Sequence, residues 1–284
     1  MARSQLEALD WKPRLENLRG WERDWSLLPL EVAARTGSIA GRIAAAETFR
    51  KHGNIQESLS LYTKLTALPN IDERASAFIR HRMAALEIEA RLLEGGWVDV
   101  LPVSQDDPNW VSLRGTHERP ADGALEVKSR SDGHLLYSRV RVGSDFEVKG
   151  DFEVVDSSNK SFQAGIAIGL PDVGAYEWYG FLMKHNAVEA GIASFARGWT
   201  RQQVLQPVKL SDRNSFRLRF QSGTVNVSVN GKEVFRDVKP VRTISVAPDD
   251  FLIGIGAFND MNETVIRYRN VQTRKLSPGE KAVN

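Results

Sequence analysis

Residues 223–235 read GTVNVSVNGKEVF, and this stretch decides the fold class. Val225, Val227 and Val229 alternate with polar residues, which is the period of a strand with one buried face. Asn230-Gly231 then supplies two residues that accept positive φ angles, as a two-residue type I′ turn requires. A returning strand follows through Phe235. The stretch therefore predicts a β-hairpin inside an antiparallel β domain.

Short segments of the same kind continue on both sides of this hairpin, with turn residues between them. This spacing, without intervening helical patterns, is typical of a two-sheet β-sandwich, which we predict over residues 108–276. The other predicted strands span residues 110–113, 124–128, 135–142, 146–154, 162–170, 176–185, 187–195, 202–210, 215–220, 251–258 and 264–273.

The first hundred residues carry a helical pattern instead. Ile39, Ile43 and Ala46 fall on one face of a predicted helix, and two more helices are predicted over 55–67 and 71–93. The predicted fold class is therefore α+β multidomain. An α-helical region over 1–100 precedes the antiparallel sandwich.

Composition excludes several functional classes. The 284 residues carry 38 basic and 36 acidic side chains, so a net charge of +2 predicts neither a nucleic-acid partner nor a membrane partner. The absence of cysteine excludes disulfides and zinc–thiolate sites.

No apolar signal-peptide core stands near the start, which predicts either a cytoplasmic protein or a fragment of a longer exported bacterial one. Nothing in the sequence indicates the oligomeric state.

A resemblance to one fold family is carried by a series of stretches in the predicted sandwich. These stretches are Trp110–Gly115, Asp122–Leu125, Asp145–Val148, Gly165–Ile168, Asn214–Leu218, Val229–Lys232 and Phe251–Gly254. In the order of these features, the sandwich resembles the concanavalin A-like, laminin-G-type jelly roll. It is also similar to bacterial domains of the keto-disaccharide-hydrolase type and to uncharacterised planctomycete-like domains. This resemblance implies a jelly-roll fold whose members include lectins, glycoside hydrolases and interaction modules.

The first pair of predicted helices contains a spaced set of small, aromatic, glycine and proline residues, namely Ala46, Phe49, Gly53, Tyr62 and Pro69. In these positions the pair resembles one tetratricopeptide repeat. Only one repeat is legible, whereas such solenoids need about three to bury a continuous core. The hairpin is therefore expected to pack on its neighbours or to end a longer array.

Catalytic signatures are weak. Glucanases of this fold class carry Glu-x-Asp-x-Glu on one strand, and the nearest counterpart here has Glu147, Asp151 and Glu153, with Lys149 where the first carboxylate should stand. We interpret this strand as a solvated convex edge without a hydrolytic role. The isolated histidines His117, His134 and His185 show no metal-binding spacing.

No cofactor is predicted, although the resemblance to laminin-G domains leaves calcium open. Its candidate site is one oxygen-rich turn, although residues of these types are also common in hairpin turns that bind no metal. The residues of this turn are Asn259, Asp260, Asn262 and Glu263.

The strongest candidate site is the face of the sandwich opposite its core. Glycines inside strands often mark a close approach by a ligand or another backbone, and Gly165, Gly169, Gly254 and Gly256 share this face with Ala167. Such a floor with aromatic walls suits a sugar ring, but the N-terminal helices could also cover it. The predicted ligand-binding residues are Tyr176, Trp178 and Lys184 on one strand, Arg197 and Trp199 in a loop, and Gly165 and Gly254 in the floor.

These observations predict a non-catalytic binding module, with a carbohydrate or protein ligand on the concave face of a jelly roll. Two alternatives stay open. One is a glycoside-acting hydrolase whose carboxylates come from separate strands. The other is a structural part of a larger assembly.

Overall fold

The computed structural model separates the chain into two compact units, residues 1–90 and 91–284. Each unit is described by itself. The structure describes residues 38–69, 71–107, 109–112, 116–120, 122–129, 134–157, 162–169, 177–184, 187–194, 198–201, 205–239, 251–258, 264–277 and 280.

The helical unit contains helices α1 (Ile39–Lys51) and α2 (Ile55–Thr66), and α3 (Glu73–Leu93) begins in it. Ser38 Oγ accepts the Gly41 N–H at 3.0 Å, so α1 begins at a side-chain cap. In the same way, Asp72 Oδ1 accepts the Ala75 N–H at 2.8 Å at the start of α3. The buried core residues are Ala46, Ile55, Tyr62, Leu65, Ile79 and Leu86. The tetratricopeptide resemblance stays a prediction.

Buried charges connect α1 to α3. Arg50 donates to both carboxylate oxygens of Glu89, through Nε at 2.8 Å and through Nη2. Tyr62 on α2 donates to Glu47 at 2.6 Å. Because an unpaired buried charge is costly, these contacts favour one packing of the three helices.

The second unit is a sandwich of two antiparallel sheets, which confirms the predicted fold class. Its fifteen described strands are β1 (Val98–Asp99), β2 (Trp110–Ser112), β3 (Thr116–Glu118), β4 (Leu125–Ser129), β5 (His134–Arg141), β6 (Phe146–Ser157), β7 (Phe162–Gly169), β8 (Glu177–Lys184), β9 (Ala187–Ser194), β10 (Gly198–Arg201), β11 (Arg213–Gln221), β12 (Thr224–Val229), β13 (Lys232–Val238), β14 (Leu252–Phe258) and β15 (Thr264–Lys275).

Strand order was not evident from the sequence. The eight-stranded sheet runs β13-β12-β11-β6-β15-β4-β3, with β1 also paired to β15. The seven-stranded sheet runs β10-β9-β8-β7-β14-β5-β2. The strand predicted over 202–210 is wrong where the structure describes it, because residues 205–212 lie in no strand. Pro207 lacks the N–H that a ladder position needs.

Aromatic side chains fill the core between the sheets. Phe146 stacks on Phe220 with ring centroids 5.5 Å apart, and both lie on the inner face of the eight-stranded sheet. Phe251, which precedes β14 of the other sheet, packs against them at 6.1 and 4.8 Å. Ile253 and Ile255 alternate in phase with Phe251, so they mark the core face of the seven-stranded sheet.

Tyr268 on β15 joins the two sheets. Its buried hydroxyl accepts the Gly165 N–H at 3.0 Å and donates to the Gly256 carbonyl at 2.6 Å. Gly165 and Gly256 are register partners on β7 and β14. The adjacent register pair, Ala164 and Ala257, is buried and carries only methyl groups. This small pair leaves space for a phenol to reach the backbone.

Both connections in the β11-β12-β13 meander are two-residue turns. Asn230 and Gly231 have φ angles of 51° and 74°, which confirms the predicted positive-φ turn. Ser222 and Gly223 repeat this arrangement, with φ angles of 51° and 76°. Asn230 Oδ1 also accepts the Ser215 N–H at 2.9 Å, so this turn is tied to β11.

Candidate functional site

The candidate site lies on the glycine face, by which we mean the face of the seven-stranded sheet opposite its core residues. Strand register places the residues of this face in rows across the strands. The first, which we call the aromatic row, contains Tyr137, Gly254, Ala167, Trp178, Ala193 and Trp199 in order from β5 to β10. Aromatic and small residues therefore follow one another along a line perpendicular to the strands.

The neighbouring row contains four glycines on four adjacent strands. Because neighbouring strands lie about 4.8 Å apart, the four glycines extend over roughly 14 Å. Leu135 stands at one end of this glycine row and Arg201 at the other. The glycines are Gly256, Gly165, Gly180 and Gly191 on β14, β7, β8 and β9.

Gly254 is already enclosed by its own sheet. A Cβ atom there would lie 3.0 Å from Ala167 Cβ, 3.0 Å from Leu135 Cδ1 and 3.2 Å from the Leu136 carbonyl oxygen. A larger residue at 254 would therefore displace its neighbours whether or not a ligand binds. This packing is a structural reason for glycine at that position.

The predicted site residues are partly brought together by register. Trp178 and Trp199 share the aromatic row with Gly254, and Gly165 lies in the glycine row beside it. Lys184 lies at the end of β8, in register with Ala187. Trp199 was predicted in a loop, which is wrong because β10 pairs with β9 there.

Two predicted site residues, Tyr176 and Arg197, lie outside the described residues, as does the proposed calcium turn over 259–263. Within the described residues, no group of three potential metal-ligating side chains occurs. No helix in that part of the chain is long and apolar enough to cross a membrane.

Carboxylates are scarce on the glycine face. Among its described strand positions, Glu189 on β9 is the one acidic residue. Lys184 is placed on β8 and Arg201 on β10, the two strands that pair with β9. Glycosidases of the usual kind need two carboxyl groups that flank the scissile bond. The described part of this face does not provide such a pair.

The acidic strand β6 differs from its prediction as a solvated edge. It lies in the middle of the eight-stranded sheet, between β11 and β15, and Glu147 is only 1% exposed. Arg217 Nε donates to Glu147 Oε1, and Arg274 Nε donates to Oε2 at 2.8 Å. Burial alone would raise the pKa of Glu147, but the two arginines outweigh it and hold that pKa below its ordinary value.

Two more β6 carboxylates, Asp151 and Glu153, are also paired. Asp151 accepts hydrogen bonds from Arg213 and Asn270, each at 2.7 Å. Glu153 lies 3.7 Å from an Arg267 nitrogen. Strand β6 is therefore held by arginines, and none of these contacts favours the protonated form that a general acid requires.

A polar groove of about 1210 Å³ lies over this outer face of the eight-stranded sheet. Sequence analysis did not find it, although Arg217-x-Arg219 on β11 placed two cations on one strand face. Its polar lining residues are Glu147, Lys149, Asp151, Gln206, Ser215, Arg217, Arg219, Asn226, Ser228, Glu233, Arg236, Asp237, Asn270 and Gln272.

Comparison with known proteins gives resemblances in structure only. No protein-family model and no curated protein matches the chain. A functionally unknown protein from Saccharomyces cerevisiae is similar at 14% identity and TM-score 0.41, over 66% of this chain and 98% of that one. A carbohydrate-binding module from Bacillus subtilis is similar at 14% identity and TM-score 0.43, over 59% and 96%.

An alginate lyase of polysaccharide lyase family 7 is also similar, at 14% identity and TM-score 0.43, over 56% of this chain and 82% of that one. With TM-scores below 0.5, these similarities carry no argument about what this chain binds.

Proposed function

We propose that this chain is a non-catalytic carbohydrate-binding protein whose ligand lies on the glycine face of the seven-stranded sheet. The observation that carries the proposal is the aromatic row, in which Tyr137, Trp178 and Trp199 are separated by glycine and alanine. The aromatic residues therefore stand on β5, β8 and β10, and small residues occupy the strands between them.

The dimensions of the row suit a sugar chain. Trp178 and Trp199 are two strands apart, which is roughly 10 Å at the usual strand spacing. A pyranose presents an apolar C–H face that packs on an indole, while its hydroxyl groups need polar partners at the edges. We assign Arg201, which follows Trp199 on β10 and stands at the end of the glycine row, as one such partner.

Electrostatics support binding over hydrolysis. The acidic strand β6 belongs to the other sheet, and its Glu147 has a pKa held low by two arginines. On the glycine face, the described strands offer Glu189 alone. A hydrolase would need a second carboxyl group about 5 to 9.5 Å away. The hydrolase alternative therefore requires a residue from outside the described strands.

Binding and turnover can be measured on one sample. We expect the full-length chain to bind neutral oligosaccharides on a glycan array. We also expect mass spectrometry to recover a bound oligosaccharide at its full length after prolonged incubation with the protein. Shortened products would replace the proposal with the hydrolase alternative. If no glycan binds while a protein ligand does, the carbohydrate assignment is wrong.

A further inference from the structure

A pair of cations stands at the centre of the polar groove. Lys149 on β6 and Arg217 on β11 are register partners, so they lie directly opposite each other on the outer face. Like charges in this arrangement destabilise a sheet, unless something neutralises them. The same row continues to Ser228 on β12 and Gln272 on β15, neither of which carries charge.

Three of the four carboxylates that line the groove are paired with arginines, and the fourth, Asp237, has no ion pair among the described residues. Glu147 accepts from Arg217 Nε and from Arg274, so its two oxygens are shared between two cations. Asp151 is paired with Arg213, and Glu233 with Arg236. Within the described part of the chain, Lys149 has no carboxylate partner, and the terminal nitrogens of Arg217 donate to none.

Trp97 fixes the position of the lysine. The Lys149 ammonium lies 4.1 Å from the centroid of the indole ring, and the Arg274 guanidinium carbon lies 5.1 Å from it. Arg217 is fixed in turn by its bond to Glu147, while 39% of its side chain is exposed. Both cations are therefore held in place before any ligand arrives, which reduces the entropic cost of binding.

Amide side chains around the two cations are also oriented by the protein. Asn226 Oδ1 accepts the Asp237 N–H at 2.9 Å, and Asn270 Nδ2 donates to Asp151 at 2.7 Å. Gln206 and Gln272 each donate through Nε2, at 3.0 and 2.8 Å. Each amide keeps a second polar atom that has no partner among the described residues, and such fixed donors and acceptors suit sugar hydroxyl groups.

We infer that the polar groove is a second saccharide site, selective for an acidic oligosaccharide whose carboxylate or sulfate group sits between Lys149 and Arg217. The Arg217 fork and the Lys149 ammonium supply charge-assisted hydrogen bonds to the oxoanion. The surrounding amides and the hydroxyl groups of Ser215 and Ser228 bind the sugar hydroxyls. This site is on the opposite sheet from the glycine face and does not depend on the function proposed there.

The test is calorimetric titration of the full-length chain with three probes at low salt: trigalacturonate, a chondroitin sulfate tetrasaccharide and neutral maltotriose. We expect one or both acidic probes to bind, with affinity that falls as salt is added, and any binding of maltotriose to be the same for the unmodified chain and for Lys149→Gln. The two acidic probes distinguish a uronate carboxylate from a sulfate group.

Lys149→Gln should weaken binding of the acidic probe by about tenfold or more, since it removes one charge-assisted hydrogen bond. Its matched control is Lys232→Gln, an exposed lysine outside the groove, which should bind as the unmodified chain does. Lys149 has no ion pair among the described residues, so this variant should lose only the cation–π contact with Trp97 and should stay folded, as its melting curve would show. Trp178→Ala on the other sheet should leave acidic-probe binding unchanged.

Several results would overturn the inference. If the Lys149→Gln and Lys232→Gln variants bind the acidic probe with equal affinity, the probe binds outside the polar groove. Loss of its binding in Trp178→Ala would assign it to the glycine face. If neither acidic probe binds at low salt, the groove is not a site for an acidic saccharide. If a poly-glutamate peptide binds as tightly as the acidic probes, the groove does not select a saccharide.

Discussion

Glu147 illustrates why acidic residues on one strand need not form a catalytic group. Its carboxylate is buried, accepts from Arg217 and Arg274, and has a pKa below its ordinary value. A general acid would require the opposite, a raised pKa in a site that a substrate can reach. The arginines come from 70 and 127 residues away along the chain, so the local sequence does not show the pairing.

Glu147→Gln should lower the free energy of unfolding at neutral pH by about 1.5–3 kcal/mol, because hydrogen bonds to a charged group are lost. The effect should depend on pH. The folded pKa is lowered, so this stabilisation is present above the ordinary value of 4.5 and is lost as the pH falls through the folded pKa. Urea unfolding at neutral and acidic pH should show the variant and the unmodified chain converging in acid. A constant difference would contradict this.

Tyr268→Phe tests the hydroxyl bridge between the sheets. The substitution removes the acceptor of the Gly165 N–H and the donor to the Gly256 carbonyl, both in a buried setting. Leaving such groups unpaired should cost about 1–3 kcal/mol of unfolding free energy. Chemical denaturation measures this loss directly. An unchanged midpoint would mean that the two strands bond to each other equally well without the hydroxyl.

The β12–β13 turn offers a test at the level of one element. Gly231 has a φ angle of 74°, and a Cβ atom there would meet no atom within 4 Å, so the backbone conformation alone restricts the residue. Gly231→Val should destabilise the sandwich by about 1–3 kcal/mol, since a β-branched residue is strained at positive φ. Gly231→Asn is the control, because asparagine tolerates this conformation. Equal melting temperatures for the two variants would contradict the account.

Individual elements were more predictable from sequence than their arrangement. Alternating valines and Asn230-Gly231 are local signals, and the structure confirms the turn that they predict. The central place of β6 arises from pairing with β11 and β15, which lie far along the chain. Gly180 and Gly191 join the candidate site only through strand register, so their sequence neighbourhood gave no sign of the continuous glycine row.

At the level of the whole molecule, we predict that the sandwich folds without the helices. We expect a chain of residues 108–276 to be soluble and to melt cooperatively. Strand pairing begins earlier, however, because β1 pairs with β15 and Trp97 contacts Lys149. A chain of residues 91–284 should therefore melt at a higher temperature than the shorter one. Circular dichroism of both chains measures this difference. An unfolded longer chain would show that the helices complete the same core.

The central claim is that a carbohydrate binds the glycine face through its aromatic row. The most direct measurement is the affinity of a neutral oligosaccharide for two variants, Trp178→Ala in that row and Trp97→Ala beside the other sheet. Removal of a tryptophan that contacts the ligand should weaken binding by about tenfold or more. We predict this loss for Trp178→Ala and unchanged affinity for Trp97→Ala, with both variants folded. Unchanged affinity for Trp178→Ala, or an equal loss for both, would contradict the claim.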